Sequence, residues 1–182
     1  MIAIDAGHGF GNRNRLVYDP GAVAEYHGRI YEEASIALHY ALCLENKLRG
    51  QSFLTRWSQE QSCPLSSRAA VAGRVGASAF LSLHLNSAVS ARANGVEVLY
   101  RKDKDFAEEL VDVVCSASGL KNRGAKHRPR LSVLQFSSGP AALIELGFIS
   151  NVTDRSTLVD VIVIDEVCES IANFLRSNAG VI

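Results

Sequence analysis

The run Pro140-Ala-Ala-Leu-Ile-Glu-Leu-Gly-Phe-Ile-Ser-Asn151 places a carboxylate, Glu145, directly after four apolar residues. So short and apolar a stretch reads as a central, buried strand, with Glu145 at its mouth. A charge there costs several kcal/mol unless a partner, a hydrogen bond or a metal compensates it. Two histidines close other apolar runs: His8 after Met1-Ile-Ala-Ile-Asp-Ala-Gly, and His84 after Ala79-Phe-Leu-Ser-Leu. If these runs are strands of one sheet, their ends converge. Two imidazoles and a carboxylate make up the donor set of a catalytic zinc site.

Strand-like and helix-like segments alternate along the chain. Residues 1–5, 52–55, 78–84, 96–100 and 141–145 read as strands. Helical stripes run over 33–49, 65–75, about 106–117 and 164–175, the first stopped by Gly50. This order predicts a single α/β domain, a mixed, mostly parallel twisted sheet with helices on both faces. Sites on such sheets form at the carboxyl ends of strands, where His8, His84 and Glu145 fall. The length of 182 residues suits one domain, expected over 1–176, with a short tail at 177–182.

Nineteen basic and nineteen acidic residues cancel, so no nucleic-acid partner is expected. No stretch reaches the ~18 apolar residues of a membrane span, so membrane insertion is not expected. Met1-Ile-Ala-Ile-Asp reads as a core strand rather than a secretory signal, which implies synthesis in the cytoplasm. Cys43, Cys63, Cys115 and Cys168 show no Cys-x-x-Cys spacing and read as small buried hydrophobes. A monomer is expected.

Taken singly, the candidates are weak. A histidine after an apolar run is commonly a hydrogen-bonded core residue. Gly7-His8-Gly9 imitates a phosphate-binding loop, but no Gly-Lys-Ser/Thr follows. Glu33 opens a helix, where a carboxylate also favours the positive end of the dipole. Spacing alone matches no compact zinc motif.

The order of motifs is more specific. Ile2-Ala-Ile-Asp-Ala-Gly-His-Gly9, Asp19-Pro-Gly-Ala22, Glu33, Leu54-Thr-Arg56, Leu65-x-x-Arg68, Phe80-Leu-Ser-Leu-His-Leu-Asn-Ser87, Gly95-Val-Glu-Val and Ile144-Glu-Leu-Gly-Phe-Ile-Ser-Asn151 follow one another. From Met1 to about Leu175 the chain resembles the zinc-dependent N-acetylmuramoyl-L-alanine amidases of the type-3 family, which cleave peptidoglycan. The resemblance implies one zinc ion held by His8, Glu33 and His84, and Glu145 as the catalytic glutamate. Glu33 is preferred to Glu32 because Ile36 and Leu38 continue the family's helix pattern, leaving Glu32 a solvated neighbour. Glu145 is then expected to take a proton from a zinc-bound water and pass it to the departing amine.

Several other positions have two readings. Asn86 either bonds substrate or ends its strand as a turn residue. Arg56 and Arg68 match family positions and are expected to brace the fold through ion pairs or carbonyl contacts. The basic segment Lys121–Arg130 reads as a solvated loop, with Arg128 and Arg130 as candidates for holding stem-peptide carboxylates. His27, His39 and His127 have no motif support. The loop Asn12–Tyr18 is longer than the family pattern. Without a signal or wall-binding module, the chain looks most like a phage endolysin acting on the wall after release. A zinc peptidase or carboxypeptidase on wall peptides, and a non-catalytic wall-binding module, are the alternatives.

Overall fold

A computed structural model of the chain describes residues 1–178. In order, the elements are β1 (Ile2–Ala6), β2 (Gly9–Phe10), β3 (Tyr18–Asp19), β4 (Val23–Tyr26), β5 (Arg29–Glu32) and α1 (Glu33–Leu48). Then come β6 (Ser52–Leu54), α2 (Arg68–Arg74), β7 (Ala79–Asn86), β8 (Val96–Tyr100) and α3 (Lys104–Ser118). The chain closes with β9 (Asn122–His127), β10 (Ala141–Phe148), α4 (Val152–Leu158) and α5 (Val161–Asn178). Two 3-10 turns cover Leu65–Ser67 and Ser132–Gln135.

Six strands form one sheet in the order β6-β1-β7-β10-β8-β9. The first four are mutually parallel, β8 runs antiparallel to β10, and β9 lies parallel to β8. Parallel strands need crossover connections: α1 carries the chain from β1 to its neighbour β6, and α2 lies on the return from β6 to β7 on the other side of β1. Alternation of side chains sorts the strands' residues between two cores. Ile2, Ile4, Leu81, Leu83, Ala142 and Ile144 face the layer of α1, α3 and α5. Ala3, Phe80, Leu99 and Leu143 face the other way, under Ala72 of α2 and Val133, Leu134 and Phe136. Each fully buried aliphatic side chain contributes ~1.5–3 kcal/mol. Both faces are covered, but unequally: three long helices on one, a short helix and 3-10 turns on the other. The site occupies the thinner side.

Four parts of the chain depart from the expectation. Most of the basic segment is not a loop: β9 pairs with β8 at the sheet edge. Its residues Asn-Arg-Gly-Ala-Lys-His are half-buried or exposed, so backbone pairing holds the strand without an apolar alternation to reveal it. A hairpin of β4 and β5 turns at His27-Gly28, both with left-handed φ, and small α4 follows β10. Of the expected tail, Ser177 and Asn178 belong to α5, and 179–182 lie outside the described residues. Cys63 and Cys168 are buried, Cys43 and Cys115 half-buried, and all are free thiols. No helix among the described residues is long and apolar enough to cross a membrane.

Charge is buried where β1 ends. Asp5, fully enclosed, accepts from Thr55 Oγ1 at 2.6 Å, Ser82 Oγ at 2.6 Å and Arg68 Nη1 at 2.8 Å. Burial pushes its carboxyl up, but the Arg68 charge and the two hydroxyls outweigh burial and hold it below the usual carboxylate range. Arg68 also donates to the carbonyls of Ala6, His8 and Cys63. Arg56 donates to Ala6, Gly7 and Ala34 carbonyls. Burial, with Arg68's charge nearby, pushes Arg56 down to about 10. Both arginines brace the fold, as the sequence implied.

Asp5→Asn leaves the Arg68 guanidinium buried without a counter-charge and is expected to destabilise the domain by about 3–5 kcal/mol. Because the folded pKa of Asp5 is depressed, its contribution is present above the ordinary carboxylate pKa of ~3.9 and fades as pH falls through the folded value. Urea midpoints measured from pH 7 downward should therefore lose part of their acid dependence in the variant.

Candidate metal centre

Glu33, His8 and His84 come from three separate segments of the chain and meet at the carboxyl edge of the sheet. His8 follows β1 in a left-handed conformation, φ 59°, which a non-glycine residue adopts only when its surroundings impose it. The buried arginines supply that constraint by fixing the carbonyls of Ala6, Gly7 and His8. His84 lies near the end of β7, and Glu33 opens α1. Glu33 Oε1 is 3.1 Å from His8 Nε2 and 2.7 Å from His84 Nδ1, and accepts the Leu85 N–H. One ligand atom from each residue falls within 4.8 Å of the others, so the three form a group able to hold a metal ion.

Burial would raise Glu33, but the hydrogen bonds and charges of His8 and His84 bring its carboxyl far below the ordinary range. Burial would lower His8, yet Glu33 and Asp19 beside it leave it raised. Glu32 lies outside the group: its carboxylate accepts from Tyr18 Oη at 2.9 Å and Ser35 Oγ at 3.3 Å, so it is a hydrogen-bonded anchor rather than a solvated neighbour.

A supporting layer surrounds these residues, and its roles were not read from the sequence. Asp19 Oδ2 lies 3.1 Å from His8 Nδ1, which turns the opposite ring nitrogen toward Glu33. Asp19 is itself held by Asn12 Nδ2 and the Gly21 N–H. The Ala22 N–H donates to Glu33 Oε2, and the Ala34 N–H donates to the Pro20 carbonyl. The Asp19-Pro-Gly-Ala22 motif is thus a cradle for two of the three residues. Glycine is required in it: a Cβ on Gly21 would stand 2.6 Å from Glu33 Oε2 and 2.8 Å from the His8 ring. Motif order signalled that this segment mattered; only long-range contacts reveal why.

Glu145 pairs in register with His84, so both project from the same face of adjacent strands. One of its carboxylate oxygens, Oε2, is buried with no hydrogen-bond partner among the described residues. Burial, opposed by His84 and reinforced by the carboxylates of Glu33 and Glu97, pushes its pKa up to about 7. Beyond β10, buried Asp154 of α4 accepts from the backbone of Gly95 and Phe148, tying the strand's end in place.

His8, His84 and Glu145 line a cavity of about 290 Å³. Its apolar walls include Leu65, Leu99, Val133 and Leu143, and Arg13 and Arg130 also line it. Larger concavities lie elsewhere, one beside the β4–β5 hairpin, and contain none of these three residues. Asn86 is not part of the cavity lining, and its side-chain oxygen accepts the Ser87 N–H, the turn arrangement. Arg128 is exposed, donates to the His127 carbonyl and does not line the cavity. His27, His39 and His127 lie outside the metal-competent group.

The close approach of the chain at Gly7 gives a direct test of this geometry. A Cβ there would stand 2.3–2.6 Å from three atoms of the His84 imidazole. Gly7→Ala should displace that ring from Glu33, and nitrogen chemical shifts of labelled histidines should report the lost His84 Nδ1 contact while the global fold persists.

The N-acetylmuramoyl-L-alanine amidase family model matches residues 2–177. A sporulation-specific N-acetylmuramoyl-L-alanine amidase of Bacillus subtilis is 32% identical over 166 residues, covering 86% of this chain and 59% of that protein. The amidase LytC of Bacillus subtilis is 29% identical over 93% of this chain, which spans only 34% of it. The probable cell wall amidase LytH of Staphylococcus epidermidis, 40% identical over 45% of this chain, is likewise spanned over only 28% of its length. Among solved structures, the catalytic domain of CwlV from Paenibacillus polymyxa superposes with a TM-score of 0.86 at 30% identity, covering 100% of this chain and 98% of that one. An N-acetylmuramoyl-L-alanine amidase from Clostridium difficile 630 superposes at 0.84 with 27% identity, over 97% and 94%. With a matching fold and a family model that spans nearly every residue, the chain belongs to the N-acetylmuramoyl-L-alanine amidase family.

Proposed function

We propose that this chain hydrolyses the amide joining N-acetylmuramic acid to L-alanine in peptidoglycan, with one zinc ion held by His8, Glu33 and His84 and with Glu145 as catalytic base. The observation that carries this reading is the unpartnered, buried carboxylate oxygen of Glu145 on the strand beside a two-His, one-Glu donor group.

The donor set fits the metal. Two imidazole nitrogens and a carboxylate oxygen suit zinc, and three protein ligands leave a position for a reactant, as catalytic sites require. Glu33 Oε1 contacts both imidazoles, at 2.7 and 3.1 Å, and one ligand atom of each residue lies within 4.8 Å of the others, so these three residues would hold a single ion together. The Asp19–His8 contact is the carboxylate–histidine arrangement that commonly orients a metal-bound imidazole. Bound here, zinc supplies a Lewis acid that lowers the pKa of water toward ~7 and polarises a carbonyl oxygen.

The chain's own groups do the rest. Glu145 accepts the proton of the attacking water and delivers it to the nitrogen of the departing alanine. A carboxyl poised near neutrality serves both halves of that transfer. The apolar walls exclude bulk water and suit the alanine methyl.

Glu145→Gln preserves shape but removes the base, and should lower turnover by about 10²–10⁴-fold while zinc content stays at one ion per chain. Chelation should silence the native protein and added zinc restore it. Counting new L-alanine amino termini on otherwise intact stem peptides reports the amidase. Products cut within the peptide would point instead to a peptidase, and wild-type turnover in the variant would remove Glu145 from the chemistry. A lytic, endolysin-like role follows if permeabilised cells clear without other bacterial components.

Asp19→Asn tests the supporting layer. Metal affinity, read by competition with a chelating dye, should weaken by about 10–100-fold. Unaltered affinity would leave Asp19 a loop anchor alone.

A further inference from the structure

The cavity beside the candidate centre has an uneven distribution of charge. Two guanidiniums from separate loops line it: Arg13 from the connection between β2 and β3, and Arg130 from the turn between β9 and the second 3-10 turn. Arg130 is exposed and makes no hydrogen bond or ion pair among the described residues. Arg13 is 77% exposed at its side chain, and its one ionic neighbour, Asp19, is 3.8 Å away and committed to His8 and Asn12. Arg68 also reaches this cavity, but its guanidinium is occupied by Asp5 and backbone carbonyls. Among the described residues, Glu145 is the only carboxylate in the lining. One unpaired cation and one held only by a long, exposed ion pair, both beside an apolar pocket, select an anion with an apolar portion.

Resting on the hydrolytic reading above, we infer that Arg13 and Arg130 hold a carboxylate of the stem peptide and thereby fix which way the substrate lies across the cleft. The two halves of the substrate differ in exactly the property this pair senses. In the muramoyl half the lactyl carboxyl is consumed in the scissile amide, so that half carries no ionised group. Carboxylates occur only on the peptide half. The cationic rim therefore belongs to the leaving-group side, and the glycan strand leaves the cleft on the other. Arg130 is the member of the basic segment that faces the cavity. The second guanidinium in the lining comes not from Arg128 but from Arg13, in the connection between β2 and β3. A guanidinium is suited to this task because its planar fork pairs with both carboxylate oxygens.

Two ligands differing only in charge test the inference: N-acetylmuramoyl-L-alanyl-D-glutamate and its diamide. For the zinc-loaded native protein, kcat/KM should favour the acid by roughly tenfold, mostly through KM. Arg13→Gln and Arg130→Gln should each lose part of that preference, and the double variant should approach parity. Arg130→Lys should keep a portion, and added salt should erode the preference of the native protein. Equal rates with the native protein, or a preference that survives in the double variant, would overturn the inference. Calorimetric titration of both ligands into zinc-loaded Glu145→Gln protein, with and without the arginine changes, measures the same preference without turnover. An arginine-dependent binding preference with no hydrolysis of either ligand by the native protein supports the rim and refutes the amidase reading.

Discussion

The closure of β1 by two buried guanidiniums is the constraint on which the site's geometry depends. Arg56 and Arg68 bind the carbonyls of Ala6, Gly7 and His8, and this holds His8 in a left-handed conformation it would otherwise avoid. Two positive charges in the interior are tolerable because Asp5 balances one directly and because most of their remaining donors meet backbone acceptors, with Arg68 Nε left unpartnered among the described residues. Asp5 in turn joins β1 to β6 through Thr55 and to β7 through Ser82. The same atoms that bind three strands together also aim an imidazole.

Around that fixed point, the remaining groups gain position from different kinds of order. His84 and Glu145 are set by strand register: they are Cα partners across β7 and β10 and share the face opposite the long helices. Glu33 is set by the start of α1, and the Leu85 and Ala22 N–H groups each claim one of its oxygens. The face they share is also the one with room, because only α2 and short turns cover it. On the antiparallel side, Glu97 stands in register with Glu145, and its charge is met by Arg123 at 2.6 Å. Burial and neighbouring carboxylates together keep Glu145 ready to accept a proton.

Legibility in the sequence followed the amount of apolar pattern each element carries. β1, β7 and β10 are buried on both faces, and their apolar runs are visible without a structure. The long helices show their stripes as well. β9 is a strand where the sequence suggests a loop, because an edge strand's stability resides in backbone hydrogen bonds to β8, which no side chain advertises. The β4–β5 hairpin is hidden in the sequence for a related reason: its turn residues, His27 and Gly28, do not match the common Asn-Gly signal. Asn86 and Arg128 were candidates by chemistry and sequence position. Each makes one hydrogen bond to an adjacent backbone group, and neither lines the cavity.

What the sequence determined alone is the class of the fold and the chemical predicament of Glu145, because burial of a strand-end carboxylate follows from local hydrophobicity. Residue types and order also narrowed the donors to His8, His84 and one of two adjacent glutamates. Only the tertiary structure decided that Glu33 reaches the imidazoles while Glu32 turns to Tyr18, that Asp19 supports His8, and that Arg13 joins Arg130. These outcomes depend on strand register and on a backbone conformation enforced by residues some 50 to 60 positions away in the chain. Such long-range terms leave no periodic trace in a local stretch of sequence.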